Sequence, residues 1–557
     1  MGQLLKAAIW LKGGRIKRSF DQATLDPQAS QVALLQDLLK QNQATRYGQA
    51  HRFSAISTFK DYADAVPLNT FQALSPYIER MKQGERNILT ADQPVLFNMT
   101  SGTTAAPKYV PITKKGINET ANRSHQWLYR ALKDHPKMLD QAFVCIGGSS
   151  IEGYTTSGIP YGSASGMMYE SLPRALRGAF AIPFLLSRIN DYELRYYAIA
   201  RLALAREVSF VVTPNPTTLI RMAETGIRHQ AEIVRSVRDG VLGQPFDTHP
   251  EDHEILNRIG KQIKPDPARA RFLETVIAQQ GSLLPYACWK QLKLIGCWLG
   301  GSIGYQAAKL DAYFGDAIPK RDLGYVASEG CMTVPYQDTT PAGILALHNN
   351  FYEFIPHDES RGKQQQTRLC HELEQGRRYR IILTNHSGLY RYDIDDIVEV
   401  CGFYNRTPVI AFVQKGADIL NITGEKLHVN HLMAVFRKLD STCGIPVTHY
   451  RVVPNHAQLR YEILIRPDAD VARDFWLTSV LPLIDSTLAA SNIEYAAKRK
   501  SGRLNAPCLH VMDASWVAEA SRETSSSRRA GVQYKWRLMA AGMSDIDARH
   551  IQYTVNP

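Results

Sequence analysis

Residues 208–224 read VSFVVTPNPTTLIRMAE. A short apolar run at 208–212 has the composition of a strand. It breaks at a turn rich in Pro and Asn, and the chain resumes as a helix after Pro216. Three other segments carry pieces of the same pattern. AFVCIGGSS (142–150) is a short apolar strand ending in glycines, LKLIGCWLGGS (292–302) is a third strand, and RDLGYVASEG (321–330) holds a fourth. Strand–loop–helix units of this kind predict an α/β fold with a mainly parallel sheet.

The surroundings divide the chain further. Residues 3–85 read as helical and polar, with Val32, Leu34, Leu35, Leu38 and Leu39 at helical spacing. Residues 94–113 read as strand, loop, strand, and 115–133 as helix. After residue 340 the texture changes to closely spaced β-like runs: AGILALHNNFYEFIP, RRYRIILTN, DDIVEVCGFYN and PVIAFVQKG. These predict a small antiparallel, barrel-like unit at about 340–424, interrupted by an exposed polar insert at 357–376. From residue 425 the pattern is mixed α+β. The expected organisation is a large domain over 1–424 and a smaller, mobile α+β domain over 425–557. Near its end EASRETSSSRRAGVQYKWR (519–537) reads as a mobile basic loop.

Composition narrows the function. At 557 residues the chain has room for roughly three to four domain-sized units, and 44% apolar with 21% charged residues is ordinary for a soluble globular protein. No apolar run reaches the ~18 residues of a membrane span. Lys6 and Lys12 bracket an apolar stretch too short for a secretory core, and Lys6 breaks the myristoylation pattern. The eight cysteines include no C-x-x-C pair and sit mostly in apolar context, as buried reduced thiols do. A cytoplasmic protein is expected. The net charge of +12 is scattered, and its clusters at 12–18 and 522–535 are not interleaved with aromatics. That fits a solvated basic surface suited to anionic substrates rather than a nucleic-acid binder. DTHPEDHE (247–254), with His249, Asp252 and His253, reads as a solvated loop before a metal site.

Four motifs carry chemistry. TSGTTAAPK (100–108) lacks both Walker A and G-x-G-x-x-G spacing. Its small residues allow backbone N–H groups to approach an anion, its hydroxyls add donors, and Lys108 adds charge. By itself it reads as a surface loop before a phosphate cradle. GYVASEG (324–330) puts Glu329 at a strand end, where a carboxylate suits Mg²⁺ or simply faces solvent. In LYRYDIDDIVEV (389–400), strand alternation puts Asp393 and Asp395 on one face and Asp396 on the other. A buried-side Asp there takes ribose hydroxyls, or the stretch is a salt-bridged strand end. GVQYKWR (531–537) holds Lys535, one lysine after a mobile basic loop and unremarkable by itself.

In this order the four resemble the luciferase-like acyl-adenylate-forming superfamily. The resemblance is closer to one branch, the Gretchen Hagen (auxin-responsive promoter type) family of acyl-acid amido synthetases. YVASE is similar to that family's Tyr-x-x-Ser-Glu motif, FYEFIP (351–356) to the phrase that follows it, YRYDIDDIVEVCGFYNRTPVIAFV (390–413) to its third motif, and QYK (533–535) to its C-terminal lysine site. The similarity runs from about residue 30 to 540. It implies ATP and Mg²⁺, with Ser101, Gly102, Thr103, Thr104 and Lys108 on the phosphates and Glu329 on the metal. Tyr325, Ala327 and Ser328 would line the adenine and α-phosphate, Gly301 and Ser302 would lie near the adenine, and Asp396 would bind the ribose. Lys535 would act on the carboxylate and α-phosphate.

The implied reaction is adenylation of a small carboxylic acid, then acyl transfer to an amine, an amino acid above all, without nucleic acid or integral membrane association. Met167 and Met168, within 158–174, and residues 213–220 are candidates for lining the acid pocket. Two departures stand out. The family's glycine before the ribose Asp is Asp395 here, and QKGAD leaves Lys415 where the wider superfamily has a hinge Arg, with Asp418 the hinge residue. The rival readings are an acyl-CoA or carrier-protein thioester ligase, which shares the first half-reaction, and a non-catalytic ATP- or membrane-associated binding protein.

Overall fold

A computed structural model describes residues 2–557 except 101–107, 147–150, 163–177, 190, 244–249, 301–306, 358–365, 416–418, 445–446, 448, 468–470, 518 and 521–537. Strands Ala142–Cys145, Val208–Val212, Leu294–Gly296 and Lys320–Arg321 form one sheet in that order, each parallel to the next. The first four residues of Val208–Val212 are all buried, as expected for a parallel strand covered on both faces. Its one polar residue, Ser209, is satisfied: the hydroxyl donates to the Met138 carbonyl and accepts the Gln141 N–H. Asn215 then caps helix Pro216–Arg228 by accepting the Thr217 N–H at 3.0 Å, with Pro216 in the first turn, where a missing N–H costs nothing.

Strands Pro94–Thr100 and Lys108–Thr113 pair antiparallel, with Thr100 opposite Lys108. Helix Lys114–Asp134 follows and packs Trp127, Ala131 and Leu132 with Phe210 and Leu294 of the parallel sheet. The antiparallel unit is a seven-stranded sheet. Its order is Thr333–Val334, Gly343–Leu345, Thr407–Lys415, Tyr392–Tyr404, Arg378–Asn385, Asn350–Pro356 and Arg368–Leu369. The N-terminal helices Gly2–Leu25 and Pro27–Asn42 add Phe20, Leu35, Leu38 and Leu39 to its core. Buried Gln31 fastens the second helix to the sheet, donating to the Leu347 and Asn350 carbonyls and accepting the Tyr352 N–H.

The described residues form two compact units divided between Gln414 and Lys415. This is earlier than the expected 424/425 boundary. The reason is the short hairpin of Ile419–Leu420 and Leu427–His428, whose Leu420, Ile422 and Leu427 are buried with Leu432, Tyr461 and Ile463 of the second unit. Fully buried Glu425 locks that hairpin by accepting the N–H groups of Ile422 and Thr423, the Thr423 hydroxyl and the Tyr461 hydroxyl. The rest of the second unit is a four-stranded sheet, His449–Asn455, Arg460–Arg466, Cys508–Met512 and Ile551–Val555, with helices Val429–Cys443, Leu481–Ser491 and Ile493–Lys500.

Two histidines of this unit titrate in opposite senses. Burial, with His428 beside it, holds His431 down from 6.5 to about 4. Burial also pushes His510 down, yet its hydrogen bonds with Cys508 and Glu462 outweigh that and carry it from 6.5 up to about 9. The fold disfavours charge on His431, so stability is lost as pH falls from 6.5 through 4. It favours charge on His510, so that contribution is complete below 6.5 and is lost as pH rises through 9. Amide exchange over Cys508–Met512, corrected for intrinsic rate, is therefore expected to be slowest between these limbs. His510→Gln should flatten the alkaline limb and His431→Gln the acid limb; unchanged limbs would remove both assignments.

Several sequence expectations change. DTHPEDHE is not a loop where it is described: Pro250–Gly260 is helical and Asp252 is buried. No group of three metal-ligating side chains occurs among the described residues. Cys288, Cys297, Cys331, Cys370 and Cys508 are buried and free, but Cys401 is exposed, near the end of a long strand where alternation turns it outward. Burial pushes the Cys288, Cys297 and Cys370 thiols up to about 12, which leaves them unreactive. Among the described residues no helix is long and apolar enough to cross a membrane.

Candidate active site

The segment YVASEGC closes on itself. Val326–Ala327 pairs antiparallel with Gly330–Cys331, leaving Ser328 and Glu329 as the two residues of a tight turn. Neighbours fix the turn by its backbone. Asn98 donates to the Ser328 carbonyl at 3.1 Å and Asn385 to the Glu329 carbonyl at 2.8 Å. Glycine is required at 330, because a Cβ there would stand 2.8 Å from the Asn350 side-chain oxygen. At the base of the hairpin the Thr333 hydroxyl accepts the Tyr325 N–H, and Arg123 donates to the Leu323 and Thr333 carbonyls. Glu329 is 9% exposed, and its carboxylate makes no hydrogen bond or ion pair among the described residues.

The second approach to this point is YRYDIDD. The Tyr325 hydroxyl donates to Asp396 at 2.5 Å, with both residues buried. Burial first, and then the Asp396 charge, drive the phenol well above its usual 10, so it stays a donor. Its ring tilts against Phe412 at 5.4 Å. Asp396 is brought here by a bulge. Ile381 lies opposite Asp396 and Ile382 opposite Asp393, so Ile394 and Asp395 are extra in the ladder. Asp395 sits at φ +58°, in the left-handed region that favours glycine and that Asp tolerates. That accounts for a glycine at this position in the family the sequence resembles. Of the two acids, Asp396 is the buried one (2% exposed) and Asp395 is half-buried.

Arg391 has a different role from the acids it accompanies. Its guanidinium clasps Glu353 of FYEFIP at 2.8–3.1 Å and donates to the Ala63 and Val66 carbonyls. Both members of the pair are buried, at 6% and 1% exposure. Glu353 went unread in the sequence, although an acid within the all-buried strand Asn350–Pro356 is a signal for a buried partner.

Lys108 opens its strand opposite Thr100, so the pair closes the base of residues 101–107, and its ammonium lies 5.3 Å from the Phe71 ring centre. Ser101, Gly102, Thr103 and Thr104 lie outside the described residues, as do Gly301, Ser302, Asp418 and Lys535, and Met167 and Met168 of the suggested acid pocket. The approach to Gly301 is described. The Trp298 indole donates to the Gly324 carbonyl, and the Leu299 and Gly324 N–H groups donate to Asp322, a carboxyl that burial nonetheless pushes up to about 6. Tyr325, Ala327, Ser328, Glu329 and Asp396 thus meet in one place. Asn98, two residues before the loop at 100–108, reaches the same hairpin.

The described donors suit the groups implied. A lone hard carboxylate is how Mg²⁺ is held when substrate phosphates supply the other oxygens, and Glu329 is such a group.

Known proteins share the fold and are similar in sequence. Two solved structures, "GH3.15 acyl acid amido synthetase" and "AtGH3.15 acyl acid amido synthetase in complex with 2,4-DB", share the fold. They superpose with TM-scores of 0.64 and 0.65, at 18% and 17% identity, over 96% and 97% of this chain and 95% and 97% of theirs. Jasmonoyl--L-amino acid synthetase GH3.5 of Oryza sativa subsp. japonica is 24% identical over 73% of this chain and 74% of its own. Indole-3-acetic acid-amido synthetase GH3.2 of Arabidopsis thaliana is 23% identical over 84% and 90%. The GH3 family N-terminal domain matches residues 16–319 and the GH3 family central domain residues 343–415. The chain belongs to the GH3 family.

Proposed function

We propose that this chain is an ATP-dependent acyl-acid amido synthetase that joins a small carboxylic acid to an amino acid. The observation that carries the reading is the meeting of the Tyr325–Asp396 hydrogen bond with the Glu329 turn. It unites two motifs about seventy residues apart at one buried, acidic point. The names of the relatives support the same reaction class.

In this reading an oxygen of the acid attacks the α-phosphorus of ATP, the bond to pyrophosphate breaks, and acyl-AMP forms. The amine nitrogen then attacks the acyl carbon, AMP leaves, and the amine proton passes to solvent. Asp396 receives the ribose hydroxyls, with Tyr325 orienting its carboxylate. Ser328 and Ala327 border the α-phosphate and adenine, together with Gly301 and Ser302. Ser101, Gly102, Thr103, Thr104 and Lys108 hold the β- and γ-phosphates, and Lys535 stabilises charge at the α-phosphate. Glu329 would hold Mg²⁺, which neutralises charge on the phosphates when bound. The unit that ends at Gln414 is the adenylating body, and the one that begins at Lys415 carries Lys535. The buried free thiols fit a cytosolic location.

Pyrophosphate release screened over a panel of carboxylic acids, with and without amino acids, tests this directly. Acid-dependent release with an amide product is expected. Release followed by a thioester with coenzyme A would make the chain a thioester ligase, and absence of ATP binding would return it to a binding protein. Glu329→Gln should raise the Mg²⁺ requirement and slow adenylation by roughly ten- to a hundred-fold, since a neutral amide is a poor ligand for a hard cation. An unchanged Mg²⁺ titration would move the metal elsewhere.

A further inference from the structure

Helix Lys114–Asp134 has two unlike faces. The apolar one covers the parallel sheet. The other carries Glu119, Asn122, Arg123 and Gln126 at helical spacing. It lines a cavity of about 600 Å³ whose opposite wall includes Ile16 and Phe20 of the first helix and Leu34 of the second. A cavity of this size is in the range that holds a small organic molecule. Tyr325, Ser328, Glu329 and Asp396 are not among its lining residues.

The facing wall is mixed: Ile16, Phe20 and Leu34 give it an apolar patch, beside Arg15, Ser19, Ser30 and Asp37. On the polar side, the Gln126 side-chain oxygen (residue 2% exposed), His386 Nδ1 (6%) and Arg123 Nε are buried with no hydrogen-bond partner among the described residues. Two arginines, Arg15 and Arg123, line the cavity. Lys115 and Asp37 at the rim pair with each other at 2.6 Å. Burial raises the Glu119 carboxyl above its ordinary value, and it pushes His386 down to about 4, leaving that histidine neutral at pH 7. Arg123 is always charged.

A complementary occupant therefore has an anionic acceptor for Arg123, an N–H or O–H donor for the Gln126 oxygen, and an apolar body for Phe20, Ile16 and Leu34. A carboxylate joined through an amide N–H to an apolar acyl group has all three. We infer that this cavity is a binding site for an N-acyl amino acid, separate from the adenylate site. The identity of that ligand with the product class of the enzyme rests on the function proposed above; the fit of the ligand to the cavity does not.

The test is binding without turnover. Crystals of the full chain are soaked, without ATP, in N-(4-bromobenzoyl)glycine, and affinity is measured in solution by calorimetry. The expected result is a bromine anomalous peak near Phe20 and Leu34 with the carboxylate on Arg123. Affinity should fall by roughly ten- to a hundred-fold for the methyl ester, which loses the charge-assisted contact. Ala33→Trp, which fills the cavity from an exposed helix position, should abolish the peak. Only ordered water in the cavity at saturating probe would overturn the site, and equal affinity for acid and ester would overturn the ligand class. Both outcomes are independent of pyrophosphate release, so this proposal and the reaction can fail separately.

Discussion

Arg391→Met is expected to destabilise the larger unit by about 3–5 kcal/mol, the usual cost of leaving one member of a buried ion pair without its partner. Glu353 would remain 1% exposed and charged, keeping only the Thr367 hydroxyl among the donors now described on it. The Ala63 and Val66 carbonyls would lose their donor as well. The damage should concentrate where the pair joins strands: amide exchange should rise across Arg378–Asn385 and Asn350–Pro356, while Cys508–Met512 of the second unit is unaffected. The double variant Arg391→Met with Glu353→Leu should recover much of the loss, because the penalty is an uncompensated charge more than a missing attraction. If the single variant costs less than about 1 kcal/mol, as a surface pair does, the pair is not what holds these strands in register.

Lys535→Ala should abolish most acid-dependent pyrophosphate release, by roughly a hundred- to a thousand-fold, the scale of removing one donor to developing charge. Amide formation from supplied acyl-AMP should persist. QYK in the sequence and the chemistry both point this way: negative charge grows on the α-phosphate oxygens as pyrophosphate leaves, whereas the amine step consumes an activated acyl group already in hand. Separate assays of the two half-reactions decide it. Equal losses in both, on folded protein, would mean that Lys535 does not serve the first step alone.

Much of this protein was legible locally. Apolar runs ending in Gly or in Pro and Asn announced three of the parallel strands, because a strand buried on both faces must be apolar and must leave the sheet through a turn; the fourth, Lys320–Arg321, is not apolar. The hairpin around residues 101–107, helix Lys114–Asp134 and the antiparallel unit followed from the same periodicities. The YVASE and YRYDIDD motifs were readable as chemistry, and they do meet.

Other features depended on which distant segment satisfies a buried polar group, and no local period encodes that. Arg391 stood beside three aspartates in the sequence, yet its partner is Glu353, on a strand two places away in the sheet order. Nothing in its local sequence singles out Glu425. Its four hydrogen bonds carry the hairpin into the second unit and shift the boundary. The polar face of helix Lys114–Asp134 would be assigned to solvent from its spacing, but residues of two N-terminal helices stand across a cavity from it. Sequence by itself determined the elements and their chemistry, since those depend on neighbours within a few residues. Only the tertiary structure decided which charges are buried together, because desolvation is a property of the whole packed chain.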